Sequence, residues 1–261
     1  MGSPCSSFSE RKIWSVMKCS IFTVPTLLIL ASCSNPDGLE LNPEEQTKKY
    51  EIGYAESSIL IDGRLNEVAW KSASAVGEFQ FPWWTEGKKE GTAAKMLWDD
   101  TYLYVSFVCQ DDYIWAEHEE RDSPVYRDDC VEVFISPNPD SINQYYNVEM
   151  NVKGVSLDFY HPNVGSKEPW DPEIRIATSV EGTLNDDSDV DRFWILEVAI
   201  PFEAYSQVAK NAPPEAGDKW RLNLNRLGGQ TNPQHSQWSP SKTETVSFHA
   251  PEFFGEVVFV K

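Results

Sequence analysis

Three short apolar segments of this chain carry regularly spaced carboxylate, amide and guanidinium groups. Because side chains alternate between the two faces of a strand, the polar members of each segment would share one face. These members are Glu132 in segment 131–135, Asn147, Glu149 and Asn151 in segment 145–152, and Arg221, Asn223 and Asn225 in segment 220–225. If the three strands are neighbours, one sheet presents a polar floor that can satisfy a hydroxyl-rich ligand. The alternative is a solvated sheet face without a ligand.

The elements that must position this floor are short strands. From about residue 51, apolar or alternating runs are separated by Gly, Pro, Asn and Asp, which is typical of strands joined by turns. The predicted fold class is all-β, a β-sandwich of antiparallel strands with one or two short helices near 66–71 and 201–205. Strands are predicted near 57–61, 77–81, 92–98, 102–110, 130–136, 144–152, 155–160, 173–181, 192–200, 219–227 and 256–260.

The amino-terminal segment has the layout of an export signal. Lys18 precedes an apolar run, 21–30, which at about ten residues is too short to span a bilayer. Leu30-Ala-Ser-Cys33 follows and resembles the lipobox of bacterial lipoproteins. We predict a signal peptide over residues 1–32, of which 1–16 are an over-extended start, and a lipid on Cys33. An ordinary signal peptide with a chance cysteine is the alternative.

The predicted mature chain consists of a tether and one domain. Residues 33–50 hold the lipidated cysteine and a polar, turn-rich linker, and residues 51–261 form the sandwich domain. The location expected is exported and lipid-anchored to the outer membrane, either periplasmic or surface-exposed, with Cys33 as the link to the membrane.

The charge of the mature chain argues against nucleic acid as a partner. The whole sequence has a net charge of −19, and residues 1–32 contain Arg11, Lys12 and Lys18 against Glu10, so their removal brings the net charge to −21. Such a chain repels nucleic acid and anionic headgroups. Cys109 and Cys130 fall on two strands that are expected to be neighbours. They could form a disulfide, although two buried free thiols are the simpler interpretation.

Several segments are spread along the domain in a characteristic order. They are Ile61-Asp-Gly-Arg-Leu-Asn-Glu-Val-Ala-Trp70, Trp98-Asp-Asp-Thr-Tyr-Leu-Tyr-Val105, Arg127-Asp-Asp-Cys-Val-Glu-Val-Phe134, Trp194-Ile-Leu-Glu-Val-Ala-Ile-Pro201, Gln237-Trp-Ser239 and Phe254-Gly255. Together they resemble family 9 carbohydrate-binding modules. The resemblance implies a β-sandwich that stacks a sugar ring between two aromatic side chains and bonds its hydroxyls from the sheet.

The resemblance also implies particular site residues. The two aromatic positions fall at Tyr126 and Phe248, where the family has tryptophans, and the polar positions fall at Glu132, Glu149 and Asn223. Phe248 could instead be a core residue beside the Phe253-Phe254-Gly255 turn. The family further implies structural calcium. The best metal candidates in this chain are Asp186, Asp187, Asp189 and Asp191, for which a solvated acidic loop is the competing interpretation.

The expected function is therefore a lipid-anchored carbohydrate-binding protein that captures a glycan for uptake or degradation. It is not expected to be an enzyme, because none of the common hydrolase or phosphate-loop motifs is present. The alternatives are a structural or interaction subunit of an envelope complex with a vestigial pocket, a haem-binding domain using Met96 or Met150, and a glycoside hydrolase.

Overall fold

The computed structural model describes residues 47–230 and 232–261. The predicted signal peptide (1–32), the lipidation site Cys33 and residues 34–46 of the tether lie outside the described residues. The described chain contains one short helix, α1 (Val68–Ser72), several 3-10 turns and a set of strands. The strands are β1 (Lys49–Tyr54), β2 (Thr92–Trp98), β3 (Tyr102–Gln110), β4 (Cys130–Ser136), β5 (Tyr145–Asn151), β6 (Ser156–His161), β7 (Glu168–Pro169), β8 (Arg175–Glu181), β9 (Phe193–Pro201), β10 (Lys219–Leu227), β11 (His235–Gln237) and β12 (Gly255–Val260).

All of these strands belong to one curled sheet with the order β7-β6-β5-β4-β10-β12-β1-β2-β3-β9-β8, and β11 pairs with β10. The two halves of the sheet enclose one apolar core, in which Val131 and Val133 of β4 share a cluster with Val105 and Phe107 of β3. The all-β sandwich prediction is confirmed. Its antiparallel pairing holds except at β1, which is parallel to both β12 and β2.

Five of the nine tryptophans in the described residues are buried in the core. Trp70, Trp98, Trp194 and Trp220 are buried, as their positions in strand and turn motifs predict, and Trp238 is buried as well. Met96 and Met150 are both fully buried among apolar residues. Both methionines are therefore part of the apolar core.

Glu197 of β9 ties the 61–70 segment to the sheet. Its Oε2 accepts hydrogen bonds from the backbone N–H groups of Gly63 at 2.7 Å and Arg64 at 3.1 Å, and its Oε1 accepts from Trp70 Nε1 at 2.7 Å. Gly63 has φ +77°, and a Cβ there would meet Thr178 O at 2.6 Å. This buried carboxylate therefore explains why the turn, the glycine and the tryptophan occur together in the sequence.

Asp128 and Asp129 use their carboxylates to hold the loops at one end of β4. Asp128 Oδ1 accepts from Glu117 N at 3.1 Å, and Asp129 Oδ2 accepts from Trp115 N at 2.6 Å. Asp129 Oδ1 accepts from Gly229 N at 2.5 Å. The adjacent 3-10 turn, Val125–Arg127, is thus held beside the polar face of the sheet.

Some local predictions are wrong. The described chain has no strand at 57–61, where Ile59 and Ile61 instead pack against the small cluster around Trp70, and 77–81 has a single bridge at Gln80. Strands β1, β7 and β11 were not expected. Cys109 and Cys130 are buried free thiols on β3 and β4, which are not neighbouring strands. No helix in the described ranges is long and apolar enough to cross a membrane.

Candidate functional site

The three polar segments do form neighbouring strands, in the order β5-β4-β10. Glu132 is paired in register with Glu149 on one side and with Asn225 on the other. Because paired residues of adjacent strands point to the same face, these three side chains form one row across the sheet. The predicted polar floor is therefore present, with Asn225 in the row in place of Asn223.

A cavity of about 680 Å³ opens over this floor. Strand β6 and the loop after it supply one wall, the 243–249 segment supplies another, and the turn before β4 supplies the rim. The lining residues are Tyr126, Glu132, Asn147, Glu149, Leu157, Phe159, His161, Val164, Gly165, Ser166, Lys167, Leu227, Ser247 and His249. A pocket of this size, with apolar walls and a few polar groups, suits a small organic ligand.

Glu132 and Glu149 are buried carboxylates at the base of the cavity. Asn225 Nδ2 donates to Glu132 Oε2 at 3.2 Å, and Asn147 Nδ2 lies 2.8 Å from Glu149 Oε1. Glu149 Oε2 has no protein partner. Burial and the neighbouring Glu149 raise the pKa of Glu132 well above its usual value, and burial raises the pKa of Glu149 to about 7.

His161 links Glu149 to the wall through Asn147. His161 Nε2 lies 2.7 Å from Asn147 Oδ1, and Nδ1 lies 2.7 Å from the carbonyl of Ser166. A neutral imidazole can donate to only one of these two oxygens. Either the ring carries a second proton, or the Asn147 amide is reversed and Glu149 carries the proton. Burial lowers the pKa of His161 and raises that of Glu149, which favours the second arrangement.

Aromatic rings extend the floor toward the 243–249 segment. Tyr145 stacks on His161, and its hydroxyl lies 3.0 Å from His249 Nδ1. Burial lowers the pKa of His249, so the ring is neutral near pH 7. When Tyr145 donates to Nδ1, Nε2 of His249 carries the ring hydrogen and can donate to a ligand in the cavity.

Tyr126, one of the two predicted aromatic residues, lines the cavity at its rim. Its side chain is 43% exposed, while the preceding Val125 is buried and fixes the turn. The Arg127 guanidinium lies 5.9 Å from the centre of the Tyr126 ring. An exposed ring at the mouth of a cavity can cover the apolar face of a sugar.

Asn223 does not line the cavity. Its Nδ2 donates to the carbonyl of Ser239 at 2.8 Å, and its Oδ1 accepts from the backbone N–H groups of Ser239 at 2.9 Å and Leu224 at 3.0 Å. With every polar atom of the fully buried amide engaged, Asn223 holds the 239 segment against β10. The prediction that it belongs to the floor is wrong.

Phe248 does not face Tyr126 across the cleft either. It is buried, with its ring 5.8 Å from Trp83 and 5.9 Å from His235, and it joins the cluster of Phe134, Tyr145 and Phe254. Its neighbours Ser247 and His249 line the cavity instead. The predicted pair of stacking aromatics is therefore reduced to Tyr126, and Phe248 takes the core position that was its alternative.

Several residues that line the cavity were not predicted from the sequence. Asn147 was predicted to share a strand face with Glu149, but it was not predicted to be a site residue. Leu157, Phe159 and His161 alternate along β6 and could have been found by extending the same two-residue period to one more strand. Lys167 and His249 come from irregular segments without a comparable pattern.

The acidic segment 182–191 does not gather its aspartates. Asp191 is buried and accepts from the backbone N–H groups of Thr183 at 2.6 Å and Ile114 at 2.8 Å, while Asp186, Asp187 and Asp189 are exposed. In the described part of the chain, no group of three or more His, Cys, Asp or Glu side chains is placed to hold a metal ion. These residues do not fit a calcium site.

Fold and cavity together define a β-sandwich domain with a concave binding site on one sheet face. The family model described as "Carbohydrate family 9 binding domain-like" matches residues 61–261. The chain therefore belongs to the carbohydrate family 9 binding domain-like family, as the resemblance in its motifs predicts.

Known proteins resemble this chain in part of its sequence or in its fold. Exoglucanase XynX of Acetivibrio thermocellus is 34% identical over 87 residues, which cover 33% of this chain and only 7% of that enzyme. A candidate carbohydrate-binding protein from Bacteroides uniformis has a TM-score of 0.68 at 20% identity, over 82% of this chain and 99% of its own. A family 9 module from Caldicellulosiruptor kristjanssonii in complex with cellotriose has a TM-score of 0.58 at 16% identity, over 82% and 94%. The same kind of module in complex with glucose scores 0.55 at 17% identity, over 81% and 95%.

Proposed function

We propose that this protein binds a carbohydrate in the cavity over β4, β5 and β6, without catalysing its cleavage. The observation that carries the proposal is Glu149, which is buried at the cavity base with Oε2 unpartnered. A buried polar atom without a partner is costly, and a ligand hydroxyl would satisfy it. The cellotriose and glucose complexes of similar structures support a sugar as that ligand.

The proposed binding mode uses an aromatic ring, two carboxylates and the polar groups of the cavity wall. Tyr126 covers the apolar face of a sugar ring at the rim, and Glu149 and Glu132 receive hydroxyl hydrogens from below. Ser247 and His249 contribute further polar groups from the wall. With one ring to bury, the affinity is expected to lie between millimolar and micromolar, about −4 to −8 kcal/mol.

The position of the two carboxylates supports binding over hydrolysis. A glycosidase needs carboxyl groups that flank the scissile bond from different sides. Glu132 and Glu149 are side by side in one row of the sheet, so both approach a ligand from below. Incubation with cello- and xylo-oligosaccharides should therefore release no shorter products.

Calorimetry on the full protein, purified in a detergent without a sugar headgroup, tests the proposal. Glucose, cellobiose, cellotriose and xylo-oligosaccharides form the panel. Saturable binding of at least one sugar is expected, and it should weaken in Tyr126→Ala. No binding of any neutral or charged sugar at millimolar concentration would overturn the proposal.

For the cell, we propose that the protein is exported and held to the outer membrane by a lipid on Cys33, where it captures glycans for uptake or degradation. The signal-like segment and the lipobox-like residues support this location. Mass spectrometry of the native protein should find a mature chain that starts with an acylated Cys33. An unlipidated Cys33, or an intact 17–32 segment, would contradict the anchor.

A further inference from the structure

Two buried carboxylates meet at the base of the cavity with only neutral hydrogen-bond partners among the described residues. Glu132 is 3% exposed and Glu149 is 7% exposed, and their strands pair these two residues directly. The partners of both are amides, Asn225 and Asn147. Like charges directly opposite on adjacent strands destabilise a sheet, and desolvation adds to the cost.

The groups around the pair do not balance its charge. Lys167 lines the cavity, with its amine 4.0 Å from the centre of the Phe159 ring, and its charge lowers the pKa of Glu149, but burial has the larger effect and raises it. Asp158, on the adjoining strand, lies near Glu149, but its carboxylate is paired with Arg121 at 2.7 Å, so this ion pair supplies no free positive charge to the two glutamates. His161 and His249 are disfavoured as cations by burial. One more positive charge is needed before both carboxylates can ionise.

We propose that the cavity selects a sugar with a protonated amine, and that the ammonium group lies between Glu132 and Glu149 while the ring faces Tyr126. This inference rests on the proposed function and names its substrate class, an amino sugar. In the absence of ligand, a proton held by Glu149 takes the place of the cation.

An ammonium group fits this base better than a hydroxyl does. It offers three donors, which matches a floor that contains acceptors on both glutamates, whereas a hydroxyl offers one. Hydrogen bonds between charged partners are roughly twice as strong as neutral ones. The unpartnered Glu149 Oε2 would gain its missing donor, and the negative charge of the whole chain would favour the approach of a cation.

Calorimetry with glucosamine, glucose and N-acetylglucosamine tests the inference. The three sugars share a ring and differ at one substituent, which is charged only in glucosamine. At about pH 6, below the range in which simple α-amino groups lose their proton, glucosamine should bind at least tenfold more tightly than the other two. Titrations in buffers of different ionisation enthalpy should show proton release with glucosamine and none with glucose.

Glutamine variants test whether Glu132 and Glu149 cause the preference for glucosamine. Glu149→Gln and, independently, Glu132→Gln keep the shape and remove one charge, so each should abolish the tenfold preference in protein that remains folded by circular dichroism. Lys167→Gln should increase the preference severalfold. Glu56→Gln, an exposed residue outside the cavity, is the control and should leave all affinities unchanged.

The outcomes separate this inference from the proposed function. Glucose binding without a preference for glucosamine, or a preference that persists in both glutamine variants, would overturn the amino-sugar inference alone. Absence of binding by every sugar in both panels would overturn both. A preference with proton release that is lost in the variants supports both.

Discussion

His161 and Tyr145 lie face to face in the floor of the cavity, with ring centroids 4.5 Å apart and planes inclined by 5°. They are paired in register across β5 and β6, so the sheet itself sets their separation. The stack fixes the plane of the imidazole and thereby the direction in which its nitrogens meet Asn147 and Ser166. Tyr145 thus orients the hydrogen-bond chain that ends at Glu149.

His161→Phe should preserve this stack and remove the hydrogen-bond chain. The carbonyl of Ser166 and the amide of Asn147 would each lose a partner, at a cost of about 1–3 kcal/mol in unfolding free energy. Sugar affinity should fall severalfold, because Asn147 no longer holds Glu149 in place. Calorimetry and thermal unfolding measure the two effects. His235→Phe is the control outside the cavity, and wild-type affinity in His161→Phe would contradict the chain.

Tyr126→Ala should weaken sugar binding by about tenfold or more and leave the melting temperature nearly unchanged. The exposed ring contributes stacking of about 0.5–1.5 kcal/mol beyond the apolar area it covers, and a factor of ten corresponds to about 1.4 kcal/mol. Calorimetry and differential scanning measure both quantities on the same sample.

Phe248→Ala should show the opposite of Tyr126→Ala, namely a loss of stability with little change in sugar affinity. Removal of a buried aromatic ring should lower the unfolding free energy by about 3 kcal/mol or more, since a cavity remains. Affinity per folded molecule should stay within a fewfold of the wild type. A loss of affinity in Phe248→Ala without a loss of stability would return Phe248 to the site and contradict its core position.

Glu149→Gln should stabilise the protein increasingly as the pH rises. The folded-state pKa of Glu149, about 7, is above its ordinary value, so the folded protein binds the proton more tightly than the unfolded chain does. Its favourable contribution is complete below the ordinary pKa and is lost as the pH rises through about 7. Glutamine stays neutral and avoids this loss, so the variant should gain up to about 3 kcal/mol between pH ~4.5 and pH ~8.

Urea unfolding across this pH range measures the difference between variant and wild type. Comparison of the two proteins at each pH cancels the contributions of shifted groups that do not interact with Glu149, such as Asp129 and His249. Glu56→Gln should follow the wild type throughout. A stability difference that does not change with pH would mean that the pKa of Glu149 is the same in the folded and the unfolded protein.

Glu197→Ala should be among the most destabilising single changes in the domain. It leaves the N–H groups of Gly63 and Trp70 without an acceptor inside the fold, and each unsatisfied group costs about 1–3 kcal/mol. Glu181→Ala removes an exposed carboxylate whose partner Arg192 is also exposed, so it should cost less than about 1 kcal/mol. Urea denaturation of both variants checks the contrast, and equal effects would refute the anchoring role of Glu197.

The two-residue period of the strands accounts for what the sequence predicted of the site. Alternation predicted a polar face on each strand, and the assumption that the strands are neighbours placed Glu132 and Glu149 on one floor, where the structure pairs them directly. Alternation does not reveal register, however. Asn223 and Asn225 lie on the same face of β10, and only the pairing with β4 shows that Asn225 meets Glu132.

Irregular segments limited the remaining predictions. Residues 243–249 have no periodicity that would indicate which side chains face the cavity. The second aromatic position implied by the family resemblance therefore fell on Phe248, whereas its neighbours Ser247 and His249 line the cavity. Strand β1 was missed because its first residues continue a polar stretch and its pairing partners lie far along the chain. Its alternating burial follows from tertiary contacts with β12 and β2.

The parallel pairing of β1 with β12 has a mechanical consequence. Lys49 lies opposite Glu256 and Gly53 lies opposite Val260, so the two strands run side by side in the same direction. A pull directed along β1 from its Lys49 end would shear its hydrogen bonds to β12 together. Hydrogen bonds loaded together resist force better than those of a hairpin opened one at a time, so this pairing would help the domain to remain folded under such a pull.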